Sequence, residues 1–259
     1  MGTIQTVKLR DVEIGAGVPK IIVPIVAETA EGILEKAREI MNHTFDLLEW
    51  RADLYEDVRD AGKVLSTLKA LRAVLGEKPI LATIRTKEEG GALAPDADAY
   101  TALNTAIAQS GDADIIDVQI SLGDEVVRKN IDAIHAAGCK VIGSYHCFDG
   151  TPSKEELIRR MRKAQEMGAD IPKVAVMPKC TADVITLLDA TQEMHSKYAN
   201  RPLLTMSMAG GVISRLSGEC FGSAATFGMI GQASAPGQIP ADQLATVLSI
   251  LHQALSPQN

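Results

Sequence analysis

From residue 21 onward the chain repeats one unit eight times: a short apolar run of strand length, a polar loop, then an amphipathic helix. The apolar runs fall at 21–26, 46–51, 79–85, 114–120, 140–146, 170–178, 202–208 and 222–228. The helical patterns fall at 31–41, 60–75, 98–109, 125–137, 154–167, 182–198, 212–220 and 241–255. Strands that alternate with helices in this way must run parallel, because only a crossover of helix length returns the chain to the same end of a sheet. At roughly thirty residues per unit, eight units predict a (β/α)8 TIM barrel. No low-complexity linker interrupts the 259 residues, so the reading is a single domain spanning 1–259. The alternative, a doubly wound open sheet, lacks a G-x-G-x-x-G turn after the first strand. Ahead of the repeats, within 1–17, Val7, Leu9, Val12 and Ile14 alternate around Arg10-Asp11 and predict a small hairpin.

Such a barrel needs a large core, and 46% hydrophobic residues can supply it. Aromatic residues are only 3%, which argues against stacking platforms for bases or sugars. A net charge of -7 and a pI near 5.3 argue against nucleic-acid binding. An anionic small substrate would have to be met by a local cluster of arginine and lysine. No apolar run approaches a membrane span, and the N-terminus lacks a secretory pattern. Met1-Gly2 with Thr6 matches a loose acylation pattern, read as chance without a polybasic neighbour. The four cysteines form no C-x-x-C pair, which suits reduced thiols in the cytoplasm.

Catalytic groups of these barrels sit at the C-terminal ends of strands. The sixth run carries Lys173 between Pro172 and Pro178, with Lys173, Ala175 and Met177 on one face and Val174 and Val176 on the other. A buried, unpaired ammonium is costly, so Lys173 either meets a carboxylate or reacts as a neutral amine. On its own the segment is better read as a strand-end lysine reaching for solvent. Elsewhere on the same rim, Glu49 and Arg51 share a face opposite Trp50. Thr83 and Arg85 end the third run ahead of Lys87-Glu88-Glu89, and Ser144 and His146 end the fifth. Met206 and Met208 end the seventh, with Arg215 beyond, and a polar run from Gln232 to Gln238 follows the eighth.

Singly, each has an ordinary explanation: Glu49 and Arg51 as a salt bridge, His146 as a structural histidine, Met206 as core filler. His43, His135, His195 and His252 fall on helices or helix ends and are read as structural. Cys147 cannot pair with His146 as a nucleophilic dyad, because adjacent strand residues face opposite sides. Those explanations do not account for a lysine, a histidine, two glutamates and three arginines gathering on one rim. A lysine amine with a histidine proton shuttle suits Schiff-base chemistry on a ketone, and arginines suit a carboxylate. No carboxylate or His/Cys spacing demands a metal, and no phosphate-cradling loop is evident.

These residues resemble a known family. Glu49-Trp50-Arg51, Thr83-Ile84-Arg85-Thr86, Glu89-Gly90-Gly91, Ser144-Tyr145-His146, Lys173-Val174-Ala175-Val176-Met177-Pro178, Thr205-Met206-Ser207-Met208, Ser214-Arg215 and Ser234-Ala235-Pro236-Gly237-Gln238 all resemble motifs of the type I 3-dehydroquinate dehydratases of the shikimate pathway. The resemblance runs in order along nearly the whole chain. It implies a (β/α)8 barrel closed at its base by the N-terminal hairpin, a homodimer, no metal or cofactor, and conversion of 3-dehydroquinate to 3-dehydroshikimate. By motif, Lys173 would form the imine, His146 would act as general base and acid, and Glu89 would orient His146. Arg215, helped by Gln238 and Ser234, would bind the substrate carboxylate. Glu49 and Arg85 would hold ring hydroxyls, Arg51 would support the charge of the pocket, and Met206 and Phe227 would form apolar walls.

Two positions depart from the family pattern. Cys147 stands where aspartate is usual, with altered support for His146 expected rather than lost activity. The loop 208–212 is shorter than in bacterial members. Two other readings were weighed. A class I aldolase would share the lysine but should show a phosphate site after the seventh or eighth strand. A non-catalytic barrel scaffold is disfavoured by the presence of both Lys173 and His146. The same chemistry would serve biosynthesis or quinate degradation, because neighbouring enzymes set the direction of the pathway.

Overall fold

The computed structural model describes residues 4–256. Met1-Gly2 and the first residues of the hairpin segment lie outside them. The strands in chain order are β1 (Val7–Leu9), β2 (Val12–Ile14), β3 (Lys20–Ile25), β4 (Leu47–Arg51), β5 (Ile80–Thr83) and β6 (Ile115–Gln119). They continue as β7 (Lys140–Cys147), β8 (Ile171–Val176), β9 (Leu204–Ser207), β10 (Ala225–Met229) and β11 (Ile239–Pro240). The helices are α1 (Ala30–Ile40), α2 (Ala61–Leu75), α3 (Ala97–Gln109), α4 (Asp124–Ala136), α5 (Lys154–Glu166), α6 (Thr181–Glu193), α7 (Ile213–Leu216), α8 (Gly218–Phe221) and α9 (Ala241–Leu255).

Strands β3 to β9 pair in parallel in chain order, and β10 pairs with β3. The ring closes between β9 and β10, where the Ala224 N–H donates to the Leu203 carbonyl at 2.8 Å. Above that point the Ser223 hydroxyl accepts the Thr205 N–H at 3.0 Å and substitutes for a ladder bond. The fold is therefore the eight-stranded barrel expected from the repeats. Strand β11, absent from the periodicity reading, adds in parallel beside β10.

Alternation sorts the side chains into two cores. Trp50, Val174 and Val176 point outward and pack beneath helices. Ile22, Leu47, Leu81, Ile115, Ile142, Ile171, Leu204 and Ala225 point inward and fill the lower barrel. Val7, Leu9, Val12 and Ile14 of the hairpin join this inner cluster and plug the base. Each such side chain contributes up to ~1.5–3 kcal/mol through burial. At the hairpin turn Arg10 has φ 52°, unusual for a non-glycine residue. Its guanidinium offsets that cost by donating to Asp114 at 2.6 Å and to Glu77 at 2.8 Å.

Thr29, Asp60, Asp96 and Ser153 each cap a helix N-terminus by accepting a backbone N–H, which fixes where α1, α2, α3 and α5 begin. Two helices differ from the sequence expectation. The pattern over 182–198 changes at Met194, after which the chain runs in wider turns, and the Ala199 N–H reaches back to the Met194 carbonyl at 2.8 Å. The pattern over 212–220 divides into α7 and α8 at Ser217, whose hydroxyl donates to the Ile213 carbonyl at 2.8 Å in competition with the backbone. Among the described residues, no helix is long and apolar enough to cross a membrane.

Candidate active site

Lys173 lies inside the barrel on β8, opposite Ser144 of β7 and Leu204 of β9, with its side chain 3% exposed. It meets a carboxylate: its Nζ is 3.2 Å from Oδ2 of Asp117 on β6. Asp117 is fully buried and also accepts from Arg85 at 2.9 Å and from the Ser144 hydroxyl at 2.6 Å. Burial pushes the Asp117 carboxyl up, but Arg85 and Lys173 outweigh it and hold the group below its ordinary range. The Phe227 ring covers the ammonium, with Nζ 4.7 Å from its centroid.

Sequence reasoning missed Asp117. The signal was present, since alternation from Ile115 puts Asp117 on the inner face of an otherwise apolar strand.

His146 stands near the end of β7, one turn of the pleat above Ser144. Its Nδ1 is 2.9 Å from Oε2 of Glu89, and its backbone N–H donates to the same oxygen at 3.0 Å. An ionised carboxylate at Nδ1 takes that proton as a hydrogen bond and leaves the Nε2 lone pair free. Burial, reinforced by the charges of Arg85, Lys173 and Arg51, holds the imidazole well below its ordinary pKa. Burial raises the Glu89 carboxyl, against the opposing pull of Arg85 and a hydrogen bond from Ser121.

Glu89 sits on a short turn, Lys87–Glu89, that stops at Gly90 with φ 83°. The left-handed backbone at Gly90 favours glycine, and a Cβ there would stand 2.4 Å from the ring of Phe148, which would have to shift.

Glu49 and Arg51 share the inner face of β4 but do not form the simple salt bridge considered above. Glu49 accepts from the Thr83 hydroxyl at 2.8 Å, while Arg51 grips Asp53 through two hydrogen bonds of 2.7 Å. Arg215 is 1% exposed and has no carboxylate partner among the described residues. Its NH2 donates to the Pro236 carbonyl at 3.2 Å, its NH1 faces the Met206 sulfur at 3.7 Å, and its Nε is unpaired. Burial lowers this guanidinium to about 10. Gln238 accepts the Ser234 N–H at 2.8 Å and donates to its hydroxyl at 3.1 Å, which folds the run after β10 into a turn facing Arg215.

All eleven side chains singled out from the sequence line one cavity of about 130 Å3. A larger cleft of about 470 Å3 lies outside the barrel between α2 and α3, is mostly apolar, and contains none of them. Among the described residues, no group of three or more His, Cys, Asp or Glu is placed to hold a metal ion. Cys147 points to the outer face and packs against the apolar cluster beneath α5 and α6. The arrangement can therefore present an amine, a base with a free Nε2 and an unsatisfied cation to one small molecule.

Comparison with known proteins agrees with this geometry. The model of the family "Type I 3-dehydroquinase" matches residues 21–255. A 3-dehydroquinate dehydratase of Escherichia coli O7:K1 is 50% identical over 252 residues, covering 97% of this chain and 100% of that one. A crystal structure of type I 3-dehydroquinate dehydratase from Clostridium difficile with covalently modified comenic acid aligns with TM-score 0.95 at 44% identity, over 98% of this chain and 100% of that one. The 3-dehydroquinate dehydratase of Geobacillus kaustophilus aligns with TM-score 0.94 at 42% identity, over 99% of this chain and 100% of that one. With sequence, fold and inner rim in agreement, the chain belongs to the type I 3-dehydroquinase family.

Proposed function

We propose that this protein dehydrates 3-dehydroquinate to 3-dehydroshikimate in the shikimate pathway through an imine on Lys173. One observation carries the reading: a buried lysine, a histidine with Nδ1 committed to a carboxylate, and a buried guanidinium without a counter-ion among the described residues share a single cavity. A buried cation left unpaired is costly, so the site is built for an anion that arrives with the substrate. Relatives named 3-dehydroquinate dehydratase at 50% identity over nearly the full chain support the choice of substrate.

In this reading Arg215 pairs with the substrate carboxylate, and Ser234 and Gln238 close over it. Glu49 and Arg85 hold the ring hydroxyls, Arg51 adds positive charge, and Met206 and Phe227 wall the ring. The Lys173 amine, once deprotonated, adds to the C3 ketone, and the carbinolamine loses water to give an iminium. Asp117 then faces the iminium as its counter-charge. His146 Nε2 takes a proton from C2, and the electron pair flows into the iminium to form an enamine. The same imidazole returns the proton to the C1 hydroxyl, which leaves as water. Hydrolysis of the new iminium frees the product and the amine, so the net change is loss of one water.

The reading extends to a homodimer in the cytoplasm. Exposed Ile185, Ile213 and Ile250 on α6, α7 and α9 support the first, and four free cysteines support the second.

The test is turnover of 3-dehydroquinate, followed by the absorbance of the conjugated product, together with borohydride reduction during turnover. The expected result is an adduct on the Lys173 peptide. An adduct on another lysine, or turnover without any adduct, overturns the mechanism.

A further inference from the structure

The carboxylate of Glu89 is anchored from two sides. Its Oε2 accepts from the Nδ1 and backbone N–H of His146, and its Oε1 accepts from the hydroxyl of Ser121 at 2.5 Å. Ser121 follows β6, Glu89 follows β5 and His146 lies on β7, so three consecutive strand ends meet at one carboxylate. Ser121 is exposed, lines no part of the cavity and makes no other side-chain hydrogen bond among the described residues.

The last torsion of a glutamate is soft and roughly two-fold, so anchoring one oxygen leaves the plane of the carboxylate loosely set. A second anchor on the other oxygen fixes that plane. A hydrogen bond to the ionised form also favours ionisation, here against burial.

We propose that Ser121 is a positioning residue for Glu89: its hydroxyl holds the carboxylate ionised and turned so that Oε2 faces His146. The inference rests on the acid–base roles given above to His146 and Glu89. An ionised Glu89 keeps the proton of His146 on Nδ1 and leaves Nε2 as the base. Without the Ser121 hydroxyl the carboxyl protonates at higher pH, and the pair loses its basic form there.

The test compares wild type with Ser121→Ala, Ser121→Thr and Ser121→Asp over a range of pH. In Ser121→Ala, KM stays within about twofold, kcat falls on the order of tenfold, and the acid limb of kcat rises by about one pH unit. Ser121→Thr keeps the hydroxyl and restores both values. Ser121→Asp sets a second carboxylate against Glu89 and moves the limb higher still. A carbon NMR titration of the Glu89 carboxyl, assigned by difference from Glu89→Gln, reads the same shift without turnover. An unmoved titration in Ser121→Ala overturns the proposal. If wild type fails to dehydrate 3-dehydroquinate, the functional reading falls while the titration still decides the role of Ser121.

Discussion

The Nζ of Lys173 lies 3.2 Å from Oδ2 of Asp117, and that same oxygen lies 2.9 Å from the guanidinium of Arg85. One carboxylate thus separates two buried cations. Asp117→Asn keeps the shape and removes the charge, leaving the ammonium and guanidinium facing each other without compensation. The Lys173 amine is then released from its ion pair, while the iminium of the proposed mechanism loses its counter-charge. The expected outcome is a split: faster reaction of Lys173 with an added amine-selective reagent, and kcat lower on the order of a hundredfold. No change in either would show that Asp117 serves packing alone.

Arg215 gives a prediction about stability as well as binding. Arg215→Met removes the group assigned to the substrate carboxylate, and KM should rise on the order of a hundredfold with a smaller change in kcat. The same change removes a buried cation that has no counter-ion, so the melting temperature should hold or rise. Arg215→Lys should not restore KM, because an ammonium cannot make the bidentate pair. A clear fall in melting temperature for Arg215→Met would show that the guanidinium is satisfied in the resting protein.

The pH profile follows from His146. In the proposed mechanism its neutral form takes the proton, and burial with three nearby cations keeps that form populated as pH falls through the usual imidazole range. The acid limb of kcat/KM, which reports the free enzyme, should therefore lie below about 6.5. A limb at or above that value would contradict the assignment of His146 as base.

Cys147, next to His146, faces the outer cluster, away from the cavity. Cys147→Asp should change kcat by no more than a few-fold. A rise of about a hundredfold would mean that the outer face supports His146 more than its geometry indicates.

Much of this was legible before folding was considered, because strand alternation is local. Lys173 with Ala175 inward, Val174 with Val176 outward, and Trp50 opposite Glu49 and Arg51 all follow from a period of two. Pairing between side chains was not legible. Arg51 could reach Glu49 or Asp53, and its rotamer rather than its spacing selects Asp53. Asp117 is harder to read because it stands in mid-strand rather than at a strand end, and its partners come from the segment after β5 and from β7 and β8. Ser121 lies in a loop, where hydrophobic periodicity carries no information. Its role emerges only once β5 and β6 are laid side by side.

The plug formed by Val7, Leu9, Val12 and Ile14 also governs traffic. With the floor filled by these side chains, the cavity lies toward the opposite, rim end of the barrel. In the proposed reaction the departing enone and the next ketone would share the rim end, past the strip from Ser234 to Gln238, so product has to clear before the next substrate can enter.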